Sequence, residues 1–466
     1  MALALVASAC GARLNDQQTT AVRAAAQGRA EASGSDTGTS GGGASGTNTT
    51  VAGGDASAAG GTTATSAPRS GGQAAAVNVH ALPAGGNGGA TDVGVTASSI
   101  TLGNVSTLTG PVPGLFSGAV VGAQAVVAYE NSLGGLWGRQ FKLDARDDQF
   151  DTGQNKSQTD DLLTKAFAML GSFSLYDDAA ADDMKAANLP DVGHALGQAR
   201  FGIPNNFSIQ PSAPGGPTGY FNYFKARNPN GIKSVGTLYS DIPSAVVQQN
   251  GFKQAAESVG YHFTYERAVG ATETDFTSDV VRMRDSGVRL VFLVAVDDKS
   301  IARFANAMKS QGFKPDAFVV GTSGYDADVP QLAGDSIEGM FVVTSTSLFG
   351  GEDAAVIPEV ALFDKWVQKV KPGFVPNIFT AYAWASGRLL FQAMENAGPK
   401  PTRAAVDDAI RRIGVFDSNG LFAASNPGTK VPAPCFIIAR VTGGKYARFD
   451  SPPSSFRCND GAWFKP

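Results

Sequence analysis

Reactive side chains are scarce in this chain. Its 466 residues include three histidines and three cysteines, with no Cys-x-x-Cys or His-Glu-x-x-His spacing to hold a metal. No Gly-x-Ser-x-Gly elbow or glycine-rich phosphate loop follows a strand-like run, so the usual acyl- and phosphoryl-transfer layouts are missing. Charged residues make up 17% with a net charge of −4, and the two signs are interspersed, which argues against nucleic-acid binding. No apolar run reaches the roughly 18 residues of a spanning helix. The acidic pairs Asp147-Asp148 and Asp177-Asp178 read as helix caps or solvated charge. Together these absences point away from catalysis and towards binding.

Alternating strand and helix patterns are abundant from Ser99 onwards. Ser99–Asp151 reads SITLGNVSTLTGPVPG and then, after a small-residue amphipathic segment (Ala119 to Glu130), SLGGLWGRQFKLDARDDQFD. An apolar strand (Ile100 to Val105) breaks at a Thr-Gly-Pro turn, the helix stops at Gly134-Gly135, and a second strand runs from Phe141 to Ala145. That is a strand–helix–strand unit of a parallel sheet. Helix Gln154–Lys165, strand Ala166–Leu170, helix Asp178–Asn188 and the Pro190-Asp-Val-Gly segment continue it. A second series follows Pro211: strand Ser234–Ser240, helix Gly251–Val259, strand Tyr261–Ala268, strand Val288–Val296, helix Ser300–Gln311 and strand Ala317–Val320. Helices Pro358–Val370, Ile378–Ala397 and Thr402–Arg412 come next, then strands Cys435–Val441 and Tyr446–Phe449. With 466 residues, two or more units are expected, and the fold class is α/β with doubly wound sheets.

The Thr-Gly-Pro turn, the Asn188-Leu-Pro-Asp-Val192 stretch, Thr274-Asp-Phe-Thr277 opening a helix and the Gly321-Thr-Ser-Gly-Tyr325 turn resemble, in order and spacing, the type I periplasmic-binding-protein fold. The resemblance is to its branched-chain amino acid and amide-binding branch, the extracytoplasmic receptors of ABC importers. It implies two three-layer lobes, residues 97–212 plus 346–425 and residues 213–345 plus 426–466, joined by crossings near 212, 345 and 425. The family carries Tyr-Asp-Ala where this chain has Ala381-Tyr382-Ala383. A small-molecule solute, an ABC permease partner and a monomer are implied, with no cofactor. A ligand-sensing receptor coupled to a signalling partner, or a surface scaffold with a vestigial cleft, are alternatives of the same fold.

Ligands of open sheets sit outside the carboxyl ends of the strands. The candidate contacts are therefore Leu115, Phe116, Ser172, Phe173, Ser174, Ala195, Leu196 and Gly197 in the first lobe. In the second they are Ser212, Ser240, Asp241, Val296, Asp297, Ser323 and Tyr325. Each also has a structural reading: the serines close turns, Phe116 and Phe173 fill a core, and Asp241 caps the helix near Pro243. His194 is either a loop ligand or a hydrogen-bonded structural residue. By resemblance, the carboxylates that hold an amino acid's ammonium align with Ser212 and Ser323, and a hydroxyl does not neutralise a desolvated ammonium. A neutral or anionic, partly apolar solute is the expectation, with Asp241 the fallback partner for an ammonium.

The N-terminal sequence MALALVASAC resembles a bacterial lipobox, which makes Cys10 a candidate for lipidation and residues 1–10 a signal remnant whose start lies upstream. Residues 11–96 follow as a Gly/Ser/Thr/Ala-rich linker with too few large apolar groups to offset ordering entropy. A flexible coil of that length spans on the order of 50 Å. The expected location is extracytoplasmic, anchored to the cell membrane through lipid. Near the other end, Cys435 opens an apolar strand and Cys458 follows a Pro-Pro-Ser-Ser loop. A disulfide pinning the tail to that strand stands beside two separate thiols, and would need an oxidising compartment.

Overall fold

The computed structural model describes residues 78–466 apart from Ser212, Ala271 and 450–454. Cys10 and residues 11–77 of the linker fall outside the described residues. Residues 78–96, grouped above with the linker, pack on the first lobe instead. The cause is Arg139, which is fully buried. Its guanidinium donates to the carbonyls of Asn87, Gly89, Thr96 and Pro399, so the segment wraps around a buried charge and cannot peel away cheaply. His80 adds a 2.8 Å contact from Nδ1 to the Gly135 carbonyl.

The first sheet holds β1 (Ser99–Ser106), β2 (Gln140–Asp147), β3 (Ala168–Leu170) and β4 (Asp191–Val192) in the order β2-β1-β3-β4, all parallel. β1 is buried on both faces, as a parallel strand covered by helices must be. Helix Ser117–Ser132 covers one side. Its glycines admit the helix Ile378–Ala397 at backbone distance: a Cβ at Gly122 would lie 2.2 Å from the Thr380 carbonyl oxygen. Gly134 and Gly135 end the first helix at φ 113° and 72°, conformations that suit glycine alone.

After β4 a short strand β5 (Gly216–Pro217) precedes helix Gly219–Arg227. The second sheet contains β6 (Val235–Ser240), β7 (Phe263–Val269), β8 (Leu290–Val294), β9 (Ala317–Val320), β10 (Phe341–Thr344), β11 (Ile437–Thr442) and β12 (Lys445–Arg448). Its order is β12-β11-β10-β9-β8-β6-β7. β6 to β10 are parallel, while β11 and β12 join antiparallel. Between β10 and β11 the chain returns to the first lobe as helices Pro358–Val370, Ile378–Ala397 and Arg403–Ile413. The last strand, β13 (Trp463–Phe464), pairs with β5, and Cys435 is joined to Cys458 by a disulfide.

Element ends differ modestly from the sequence pattern. Helix Pro243–Ser258 starts well before Gly251, with proline in its first turn. The expected helix Asp178–Asn188 shrinks to Ala181–Ala186, because Asp177 and Asp178 are committed to the loop across from them.

Candidate functional site

Three chain segments pass between the lobes and are laced to one another. Gln210 Nε2 donates to the Ala423 carbonyl at 2.6 Å, and Ser425 Oγ donates to that of Ile209 at 2.5 Å. The Ser347 amide donates to the Leu421 carbonyl at 2.8 Å and the Ala423 amide to that of Ser345 at 2.7 Å. A few hydrogen bonds among short segments, with no continuous sheet, leave a joint that can bend.

At the carboxyl end of the first sheet the side chains are largely aromatic. Phe116 lies 4.8 Å from Phe379 and 5.7 Å from Phe173 between ring centroids; Phe173 lies 5.1 Å from Phe379. Phe173 also stacks on His194 at 5.8 Å, His194 meets Tyr382 at 4.9 Å, and Tyr382 meets Phe422 at 5.0 Å. Such ring pairs hold one another in fixed edge and offset geometries. Phe116, Phe173 and Phe422 are buried, whereas Leu115, His194, Phe379 and Tyr382 keep partial access to solvent.

The hydroxyls expected here are already engaged. Ser172 Oγ accepts from the Val105 amide at 3.1 Å. Ser174 Oγ donates to the buried Asp148 carboxylate and accepts from the Tyr176 amide at 2.9 Å. The amides of Leu196 and Gly197 donate to Asp177 at 2.8 and 2.7 Å, and Ala195 is buried beside them. Asp177 in turn pairs with Arg200, whose fork also grips Asp191 at 2.7 and 2.8 Å. The guanidinium of this loop is thus committed to two carboxylates.

At the second sheet's carboxyl end, Ser240 Oγ donates to the Ala295 carbonyl and Ser323 Oγ to that of Val296, at 2.5 and 2.8 Å. Asp297 caps helix Asp298–Ser310 by accepting from the Ser300 amide. Asp241 is exposed and does not cap the next helix, whose N-cap is Ile242 without a side-chain bond. Tyr325 is buried away from the first-lobe rings, packed on Phe349 and Tyr446, with its hydroxyl accepting from the Gly350 amide. Ser212 is outside the described residues. Carboxylates of Asp298, Asp326 and Asp328 gather within 4.8 Å of one another. Burial first, and then the neighbouring carboxylates, push Asp326 up to about 6 and Asp298 upwards.

The sequence profile of periplasmic binding proteins matches residues 99–445. The chain belongs to this family. A Leu/Ile/Val-binding protein homolog 2 of Brucella abortus is 23% identical over 370 residues, covering 76% of this chain and 95% of the relative. Among solved structures, the fatty acid ABC transporter substrate-binding protein from Thermomonospora curvata superposes with a TM-score of 0.65 at 22% identity, over 78% of this chain and 98% of that one. A branched-chain amino acid ABC transporter protein from Thermus thermophilus with bound valine gives 0.65 at 18% identity, over 79% and 97%. These periplasmic binding proteins share the fold while their names span different solutes.

The sequence singled out Phe116 and Phe173 as candidate contacts but not Phe379, Tyr382 or Phe422. These three arrive on segments distant in the chain. The one available signal was Ala381-Tyr382-Ala383, noted only for the Asp it lacks.

Proposed function

We propose that this chain is an extracytoplasmic binding protein that captures one small solute between its lobes by hinge closure and presents the closed form to an ABC import permease. The observation that carries the reading is the laced three-segment joint between a parallel and a mixed sheet, with side chains collected at the carboxyl ends of their parallel strands. Contacts to both lobes exist only when the lobes are closed, so a solute shifts the population toward that state. The protein performs no covalent chemistry on the solute. Among the first-lobe candidates, Leu115, Phe116 and Phe173 line the solute, while Ser172, Ser174, Ala195, Leu196 and Gly197 hold the wall behind it. In the second lobe Asp241, Val296, Asp297, Ser323 and Tyr325 shape the opposing face, with Ser240 at its margin, and Ser212 is kept as a candidate contact. A lipid on Cys10 and the linker hold the monomeric domain near the membrane.

The test is a thermal-shift screen of full-length protein, unfolded and refolded to remove carried-over ligand, against amino acids, aliphatic and aromatic acids, phenols, indoles and polyamines. A solute at a hundred times its dissociation constant adds about 2.7 kcal/mol, and small-angle scattering should register a smaller radius of gyration with it bound. No stabilisation by any compound would overturn the reading. Replacing Cys10 with Ala should move the protein out of the membrane fraction.

A further inference from the structure

The first-lobe mouth holds polar groups that the protein itself leaves unanswered. Thr107 is fully buried, and its Oγ1 has no hydrogen-bond partner. Its backbone joins the two central rings: the Thr107 amide donates to the Phe173 carbonyl at 3.0 Å, and its carbonyl accepts from the Phe116 amide at 3.2 Å. Tyr382 touches Phe173, His194 and Phe422 through its ring, yet its hydroxyl makes no hydrogen bond among the described residues. Burial raises that hydroxyl's pKa, so it stays protonated. A buried hydroxyl without a partner, such as that of Thr107, is costly, and proteins rarely keep one unless something else supplies the bond.

His194 adds a third group of defined character. The Ser208 hydroxyl gives its one proton to the Gln210 carbonyl at 3.0 Å, so its 3.0 Å contact with His194 Nδ1 must use a proton from the ring. Burial pushes the imidazole down to about 4, which leaves it neutral at pH 7. The assigned tautomer then offers Nε2 as an acceptor. Among the described residues no guanidinium or ammonium joins the cluster, since Arg200 is held by Asp177 and Asp191. A carboxylate taken in among these rings would be desolvated with no opposing charge beside it.

Resting on the solute-capture reading above, we propose that the solute is a planar, apolar molecule whose buried end is uncharged and carries a hydroxyl or N–H donor, the class of phenols and indoles. Its ring packs against Phe116, Phe173 and Phe379. The donor goes to His194 Nε2, and the Tyr382 and Thr107 hydroxyls meet its remaining polar atoms. This revises the expectation of an anionic solute, because among the described residues the polar side chains left open at the rings, those of Thr107, His194 and Tyr382, are neutral.

The experiment is calorimetric titration of refolded full-length protein with p-cresol, indole, benzoate and leucine. Binding of p-cresol or indole at least tenfold tighter than benzoate or leucine is the expected result. Tyr382→Phe, which keeps the ring, should weaken p-cresol about tenfold and leave indole, which has no acceptor for that hydroxyl, near the parent value; His194→Asn, which keeps a donor for Ser208, should weaken both about tenfold. Circular dichroism melts of the ligand-free variants should match the parent. Tighter binding of benzoate or leucine would overturn the solute class and leave solute capture standing. Binding of p-cresol or indole that is unaffected by both variants would overturn the assigned contacts and with them the proposal. If none of the four binds, the class fails, and the broader screen above decides whether solute capture fails with it.

Discussion

The carboxyl ends of the two sheets are built from opposite materials. The first packs four rings against Phe173, with Phe422 beyond Tyr382, and keeps its charges, Arg200 with Asp177 and Asp191, buried and paired. The second gathers carboxylates, with Asp298, Asp326 and Asp328 together and Asp241 exposed. An apolar wall is indifferent to a solute's charge except through desolvation, whereas an acidic rim discriminates at a distance. On the proposed solute-capture reading, the first mouth selects by shape and polarity of the buried end, while the second repels anions before they enter.

Breaking the buried charges of the first mouth should have the largest effect. Arg200→Met leaves Asp177 and Asp191 facing each other without a cation and should cost about 3–5 kcal/mol of stability in urea unfolding. Next comes Ser174→Ala, which strips a hydroxyl donor from the fully buried Asp148. The expected loss is about 1–3 kcal/mol by the same measurement.

The acidic mouth should respond in the other direction. A carboxyl whose pKa is raised in the folded state binds protons there more readily than in the unfolded chain. Its contribution therefore falls as pH rises from about 4 through about 6, the value of Asp326. Asp326→Asn keeps an acceptor for the Asp328 amide and should gain on the order of 1 kcal/mol at pH 7, after allowance for partial exposure. The variant should also flatten the stability profile between those pH values; an unchanged slope would show that Asp326 is not the titrating group. Smallest of all, Ser323→Ala loses one partly buried bond to Val296 and should cost about 0.5–1.5 kcal/mol. If Ser323→Ala proved as damaging as Ser174→Ala, the contrast between a rigid first mouth and a tolerant second one would collapse.

Much of the architecture was legible in the chain. Fully apolar runs such as LVFLV of β8 have one stable use in a chain with alternating helices, the centre of a parallel sheet. Gly134-Gly135 and the Thr-Gly-Pro turn marked boundaries because their backbone angles admit few alternatives. The chemistry of the site was harder to read. Ser172 and Ser174 look like ligand hydroxyls in sequence, but hydrogen-bond partners such as Val105 and Asp148 are set by packing and not by spacing. Tyr382 and Phe379 reach Phe173 on a helix from a distant part of the chain, so no local pattern joins them. Asp177 read as a helix cap, whereas it caps the opposite loop at Leu196 and Gly197.

The three helices that follow β10 close the first lobe, and the second sheet receives β11 and β12 after them. Neither half is therefore a continuous stretch of chain. On a ribosome, which releases residues in order, β1 to β4 and helix Ser117–Ser132 emerge long before the helix Ile378–Ala397 that Gly122 is shaped to receive. Their apolar faces stay uncovered until most of the chain has been made, an interval in which misassociation competes with folding. Truncation from the C-terminal side should accordingly damage both lobes together, and holding the nascent chain unfolded until it is complete should raise the yield of native protein.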